Sequence, residues 1–238
     1  MIKNHIKKAW KAYRKNWKEY AKAILLALLL TIFLNIIFQT NITLTNLREE
    51  IKAALSAKDY AKLSSLGVLT FSLILIAIIV SIVVTSIIKM SEKSLKGKTS
   101  LKHLFETVKK KWLDIIGLRM VFIFIFAVSL GIIFLGLATA NALLSLLAIP
   151  ALIAFLIMAY LSEYALIIDD LHPLTAIKRS FKVTKGNVLK LIFLILFVGI
   201  LGAILQLIPL IGKILDIFVI LPFTMITFSS FYKSIRKR

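Results

Sequence analysis

Residues 171–201 read LHPLTAIKRSFKVTKGNVLKLIFLILFVGIL: a basic segment opened by a proline runs straight into an apolar stretch rich in Leu, Ile and Phe. A bilayer core of roughly 30 Å is crossed by about 20 apolar residues in a helix, and residues 188–208 meet that length. Working outward, five further windows do so, at 22–40, 66–88, 115–137, 143–168 and 214–232. Backbone groups in lipid have no water to bond, so each window is helical or belongs to a closed barrel. Period-2 alternation is absent and the runs are too long for barrel strands, which leaves helices. With 60% hydrophobic residues among 238 and a mean hydropathy of +0.93, the chain carries more apolar surface than a soluble core of this size hides. The reading is an all-α integral membrane protein, a single membrane domain over residues 1–238 with six transmembrane helices.

Lys and Arg number 31 against 11 Asp and Glu, a net charge of +20. Such an excess suits nucleic acid, anionic lipid or acidic substrates, and its distribution along the chain discriminates among them. One side of the six windows collects 26 of the basic residues; the other holds five, Arg48, Lys52, Lys58, Lys62 and Lys213. Basic residues gather on the cytoplasmic side of membrane proteins. Both termini are therefore expected in the cytoplasm, in a multi-pass protein of the cell membrane. The partners this implies are membrane lipids, anionic ones above all, with a partner protein as an addition and no nucleic acid. Eight Lys and Arg fall within the first 22 residues with no small-residue cleavage site, so the first window reads as a retained anchor rather than a secretory signal. The absence of cysteine excludes disulfides, thiolate metal sites and a cysteine nucleophile.

The gaps between windows alternate in length as well as in charge. Short outer turns at 138–142 (ATANA) and 209–213 (PLIGK) force antiparallel helical hairpins. The longer outer loop carries a glycosylation triplet at Asn41-Ile42-Thr43, and the pairs Asn46 with Glu49 and Ser56 with Asp59 fit helix starts. Each hairpin is preceded by a basic amphipathic segment: WKAYRKNW from Trp10, FETVKKKW from Phe105 and FKVTKGNV from Phe181. These similar segments mark a weak internal repeat of three units, 1–90, 91–168 and 169–238. Each is read as an interfacial helix, with Trp10, Tyr13, Trp17, Phe105, Trp112 and Phe181 facing lipid and the ammonium groups facing phosphates. Pro173 suits a first helical position, and Asp169 and Asp170 ahead of it are expected to cap that helix rather than to form a metal site with His172.

Ionisable residues inside spans are costly and so become site candidates. They are Arg119, Glu163 and Lys190, with Tyr160 beside them, and an Arg119–Glu163 ion pair is expected because their windows form one hairpin. Thr70, Ala77, Ser81 and Thr85 make a small face suited to close helix packing. Pro150 and Pro222 could create breaks in spanning helices, although proline kinks are common in membrane helices that transport nothing. No HExxH, GxSxG or Gly-rich phosphate loop is present, so no enzyme activity, cofactor or metal is expected.

The stretch DDLHPLTAIKRSFKVTKGN from Asp169, with Pro173, Ala176, Lys178-Arg179, Ser180-Phe181 and Lys185-Gly186-Asn187 ahead of an apolar helix, resembles the membrane domain associated with glycerophosphoryl diester phosphodiesterases and related uncharacterised six-helix proteins of archaea and bacteria. The resemblance centres on the third unit. It implies a membrane architecture without phosphodiesterase activity, because no residues are left for a barrel hydrolase. Three functions fit this sequence. The first is a non-catalytic membrane component engaging anionic lipids or a partner protein. The others are a transporter or channel for a small solute, and an accessory membrane subunit of an enzyme encoded elsewhere.

Overall fold

The computed structural model describes residues 2–37, 53, 56, 60–139 and 142–236, and every regular element among them is helical. In chain order α1 is Ile2–Ile37, α2 Tyr60–Ser94, α3 Leu101–Ala138, α4 Ala142–Ala159, α5 Ser162–Ile168 and α6 Pro173–Thr184. They are followed by α7 at Val188–Gln206, α8 at Ile211–Leu215, a π-helical stretch at Asp216–Ile220 and α9 at Leu221–Ile235. Among the described residues five stretches are long and apolar enough to cross a membrane: Ile74–Ser94, Leu101–Gly136, Leu146–Ile168, Val188–Gln206 and Ile211–Ile235. The first window of the sequence falls in α1 as far as Ile37. The triplet at 41–43, the Asn46–Glu49 pair and Asp59 lie outside the described residues.

The chain divides into two compact units, residues 24–84 and residues 1–23 with 85–238. The smaller contains the end of α1 and most of α2. There Thr31 returns its hydroxyl to the Ala27 carbonyl at 2.8 Å, the local bond that keeps a polar side chain satisfied where water is absent. In the larger unit the core gathers where α2, α5 and α9 carry Ile87, Ile88, Met90, Leu166, Ile226, Phe228, Phe231 and Tyr232, all fully buried. The apolar windows of α3 and α7 are treated differently: only 6% and 11% of their residues are buried. Phe124, Phe134, Leu189, Leu196 and Ile200 are among the large side chains left exposed. Apolar surface of this extent is not tolerated against water. Hydrocarbon is the medium that accepts it, and the chain is a multi-pass membrane protein by this criterion.

Three details correct the expectations. The basic segments at 10–17 and 105–112 are not helices of their own, since α1 and α3 run on through them into the apolar windows. Only the third is separate, because Lys185-Gly186-Asn187 ends α6 before α7 begins. The window at 143–168 is not one helix. It breaks at Tyr160–Leu161, while Pro150 stays inside α4. Side-chain hydroxyls accompany the break: Ser180 donates to the Met158 carbonyl and Ser162 to that of Ala159, both at 2.6 Å. Satisfied carbonyls are the condition for interrupting a helix in an apolar setting.

Pro222 behaves differently. It lacks the N–H that an α-helix would send to the Phe218 carbonyl, the chain runs through the π-helical stretch just before it, and the Tyr13 hydroxyl donates to that carbonyl at 3.1 Å. The tight return from α7 to α8 needs glycine at 212, because a Cβ there would lie 1.8 Å from the Leu205 carbonyl oxygen.

Candidate functional site

The larger unit concentrates its polar chemistry at one end, where most carboxylates join more than one element. Glu163, in the first turn of α5, accepts an ion pair from Arg119 of α3 at 2.8 Å. Thr85 of α2 bridges them, accepting from Arg119 Nη2 at 3.3 Å and donating to Glu163 Oε2 at 3.4 Å. Lys190 does not join this cluster; it donates at 3.2 Å to Oδ1 of Asn187, the residue just before its own helix. Tyr160 is close in sequence but packs its ring on Phe228 at 4.9 Å and makes no hydrogen bond to the pair. The Thr85 hydroxyl, expected merely to pack, is the third member. Its helical phase placed it on the correct face, yet nothing local distinguished packing from bonding.

Asp169 and Asp170 are ion-pair centres rather than caps. His172 is the N-cap of α6 with extended backbone and no side-chain cap bond, and Pro173 stands at the start of the helix as expected. Asp169 accepts from the Tyr232 hydroxyl and the Arg236 guanidinium, with Arg179 Nε at 3.7 Å; Arg179 also donates to the Arg236 carbonyl at 3.0 Å. This carboxylate therefore ties α6 to the end of α9. Asp170, with a positive φ of 57° that aspartate tolerates better than most residues, turns the other way and meets Lys110 and Lys111 of α3. Hydrogen bonds from these two lysines pull its carboxyl down to a pKa of about 2. Asp114 completes that side with Lys111 at 2.9 Å and His172 at 3.2 Å.

Glu92 of α2 has only 8% of its side chain exposed. It is surrounded by Lys89 at 2.8 Å, Lys233 of α9 at 3.3 Å and Lys96 at 3.8 Å. The remaining described acids before Asp216 are also matched, Glu19 by Lys22 and Glu106 by Lys102. Among the described residues no three His, Asp or Glu side chains converge as a metal site would need.

The face of α1 that packs is not the aromatic stripe. His5, Ala9, Ala12, Asn16, Tyr20 and Ala23, at steps of three and four, are the buried positions, and their small or hydrogen-bonding side chains let other elements approach closely. Asn16 donates to the Gly97 carbonyl at 3.0 Å and accepts from the Thr99 amide at 3.0 Å. Glu19 accepts from the Leu101 amide, and the Tyr20 hydroxyl donates to Ser94 at 2.9 Å. The turn between α2 and α3 is thus fastened to α1 by polar side chains.

Of the aromatics expected at the interface, Trp10, Trp17, Phe105 and Trp112 are exposed by 46–52%. Tyr13 and Phe181 are partnered instead, the first by the Phe218 carbonyl and the second by the Phe155 ring at 5.7 Å. Around Trp10 and Trp17, the cations Lys3, Lys7, Lys8, Lys11, Arg14, Lys15 and Lys18 have no carboxylate within ion-pair distance among the described residues. In comparisons with known proteins, no family model matches the chain, and no curated protein or solved structure is significantly similar to it.

Proposed function

We propose that this protein is a non-catalytic membrane component whose basic end lies against the cytoplasmic leaflet and engages anionic lipids, with a partner protein as a further ligand of the same surface. The observation that carries this reading is the allocation of charge. The described acids before Asp216 are matched to bases, and seven cations of α1 are left without a counter-ion beside half-exposed Trp10 and Trp17. Each such cation gains about 1 kcal/mol near an anionic headgroup surface. Indole rings favour the same interfacial depth.

The proposal includes six spans as three hairpins, both termini in the cytoplasm of the cell, and the likeness to the phosphodiesterase-associated membrane domain. Transport is the less supported reading. A broken spanning helix marks a transport site when its backbone groups are vacant to bind solute, whereas the Met158 and Ala159 carbonyls are occupied by serine hydroxyls and Glu163 is neutralised by Arg119.

The test reconstitutes the full chain in nanodiscs of phosphatidylcholine mixed with phosphatidylglycerol and measures by mass spectrometry which lipid stays with the protein. Enrichment of the anionic lipid, declining as salt rises above about 0.1 M where the screening length falls to about 10 Å, is the expected result. Equal retention of both lipids would refute the proposal.

A further inference from the structure

One groove at the basic end is lined by five lysines and three serines. Its cavity of about 620 Å³ is bounded by α1, the turn after α2 and the last turns of α9. Lys8, Lys11 and Lys15 project along one wall, at the three-and-four spacing that aligns side chains on a helix face. Lys96 and Lys233 close the opposite side, held there by Glu92 behind them. At the floor His5 is buried, with Nδ1 2.9 Å from the Ser230 hydroxyl and Nε2 3.4 Å from that of Ser234. Gly97 lies at the rim with no side chain. Five ammonium groups thus face a space whose nearest carboxylate is already saturated.

From this geometry we infer that the groove is a binding site for a phosphomonoester group, presented by the headgroup of an anionic lipid. The inference rests on the lipid-engaging reading above and sharpens it to one site and one chemistry. A phosphomonoester carries nearly two negative charges and three acceptor oxygens, which matches clustered lysines and serine hydroxyls better than the single charge of a phosphodiester does. Lysine binds phosphate as a point charge and needs no planar fork, so side chains arriving from three elements serve. The depth is also suitable. Ser94 ends one apolar span, and Ser230 to Ser234 lie in the final turns of another, which puts the groove where hydrocarbon gives way to headgroups.

The experiment uses the full chain in phosphatidylcholine nanodiscs doped with either phosphatidic acid or phosphatidylglycerol, with inorganic phosphate as a soluble competitor. The triple variant Lys8→Gln/Lys11→Gln/Lys15→Gln is compared with Lys109→Gln/Lys182→Gln/Lys185→Gln, which removes equal charge from exposed lysines outside the groove. All six side chains are exposed and lack ion pairs, so both variants keep the packed core. The groove variant should lose phosphatidic acid retention by about tenfold or more, given roughly fivefold per lysine at an anionic surface. The control removes equal charge from the same basic surface, so it should lower phosphatidic acid and phosphatidylglycerol retention alike, whereas the groove variant alone should lower the ratio of phosphatidic acid to phosphatidylglycerol.

Displacement of phosphatidic acid by millimolar inorganic phosphate would keep the phosphate site but reassign its ligand to a soluble anion. Equal losses in the two triple variants, or none in the groove variant, would overturn the groove while leaving general lipid engagement intact. No anionic preference in the unaltered protein would bring down the reading beneath it.

Discussion

Arg119 and Glu163 neutralise each other with Thr85 bonded to both, in a setting where their side chains keep 33% and 22% of their exposure. Removing one member of a fully buried pair costs about 3–5 kcal/mol because the other charge is stranded. With this partial exposure Glu163→Gln is expected to cost about 2 kcal/mol, and Arg119→Met in the same chain should recover part of it. Thermal unfolding of the single and double variants in detergent micelles measures the coupling. Asp170 supplies a pH-dependent counterpart. Its folded carboxyl sits near 2, below the ordinary aspartate value, so its contribution to stability is complete above about pH 4 and is lost as pH falls through about 2. A carboxyl carbon titration by NMR should give a midpoint near 2, and the doubly substituted Lys110→Met/Lys111→Met chain should titrate near 4. The Arg119–Glu163 pairing was expected from the sequence, whereas the partners of Glu92, Asp114, Asp169 and Asp170 were not. Asp169 and Asp170 are adjacent and chemically identical, and only the left-handed turn at Asp170 sends them to different helices.

At the scale of elements, the irregular places in the helices have named causes. Pro222 frees the Phe218 carbonyl and Tyr13 bonds it, so Tyr13→Phe should cost about 1 kcal/mol. That loss should shrink in a Pro222→Ala background, where the backbone regains its own donor; chemical denaturation of the four combinations tests it. At the α7–α8 return, Gly212→Ala would drive a methyl into the Leu205 carbonyl. A loss of about 3 kcal/mol is expected for an overpacked site that only backbone movement relieves, read as a lower unfolding midpoint in micelles. Apolar length made the spans legible, since it requires only hydropathy. The break at Tyr160–Leu161 was not legible, because its stability depends on the hydroxyl of Ser180 arriving from another helix. Pro150, the conspicuous local signal, remains inside an unbroken helix.

For the whole molecule, the distribution of charge makes a topological prediction that this chain is well suited to test, as it contains no cysteine. Single cysteines introduced by Lys7→Cys, Lys98→Cys and Lys185→Cys should react with a membrane-impermeant maleimide only after cells are opened. Lys58→Cys and Lys213→Cys should react in intact cells. Labelling of Lys7→Cys or Lys185→Cys in intact cells would invert the orientation and move the basic end away from the anionic leaflet.

Hydropathy and the spacing of lysines decided the solvent of this protein and its basic face, because both depend on composition along the chain and need no partner. Apart from the expected pair of Arg119 with Glu163, tertiary structure alone decided which base each acid meets, which α1 positions pack and where three lysines, two further ammonium groups and a buried histidine enclose one groove. Those outcomes depend on side chains separated widely in sequence reaching the same few ångströms, and helical period cannot specify what stands opposite a helix face.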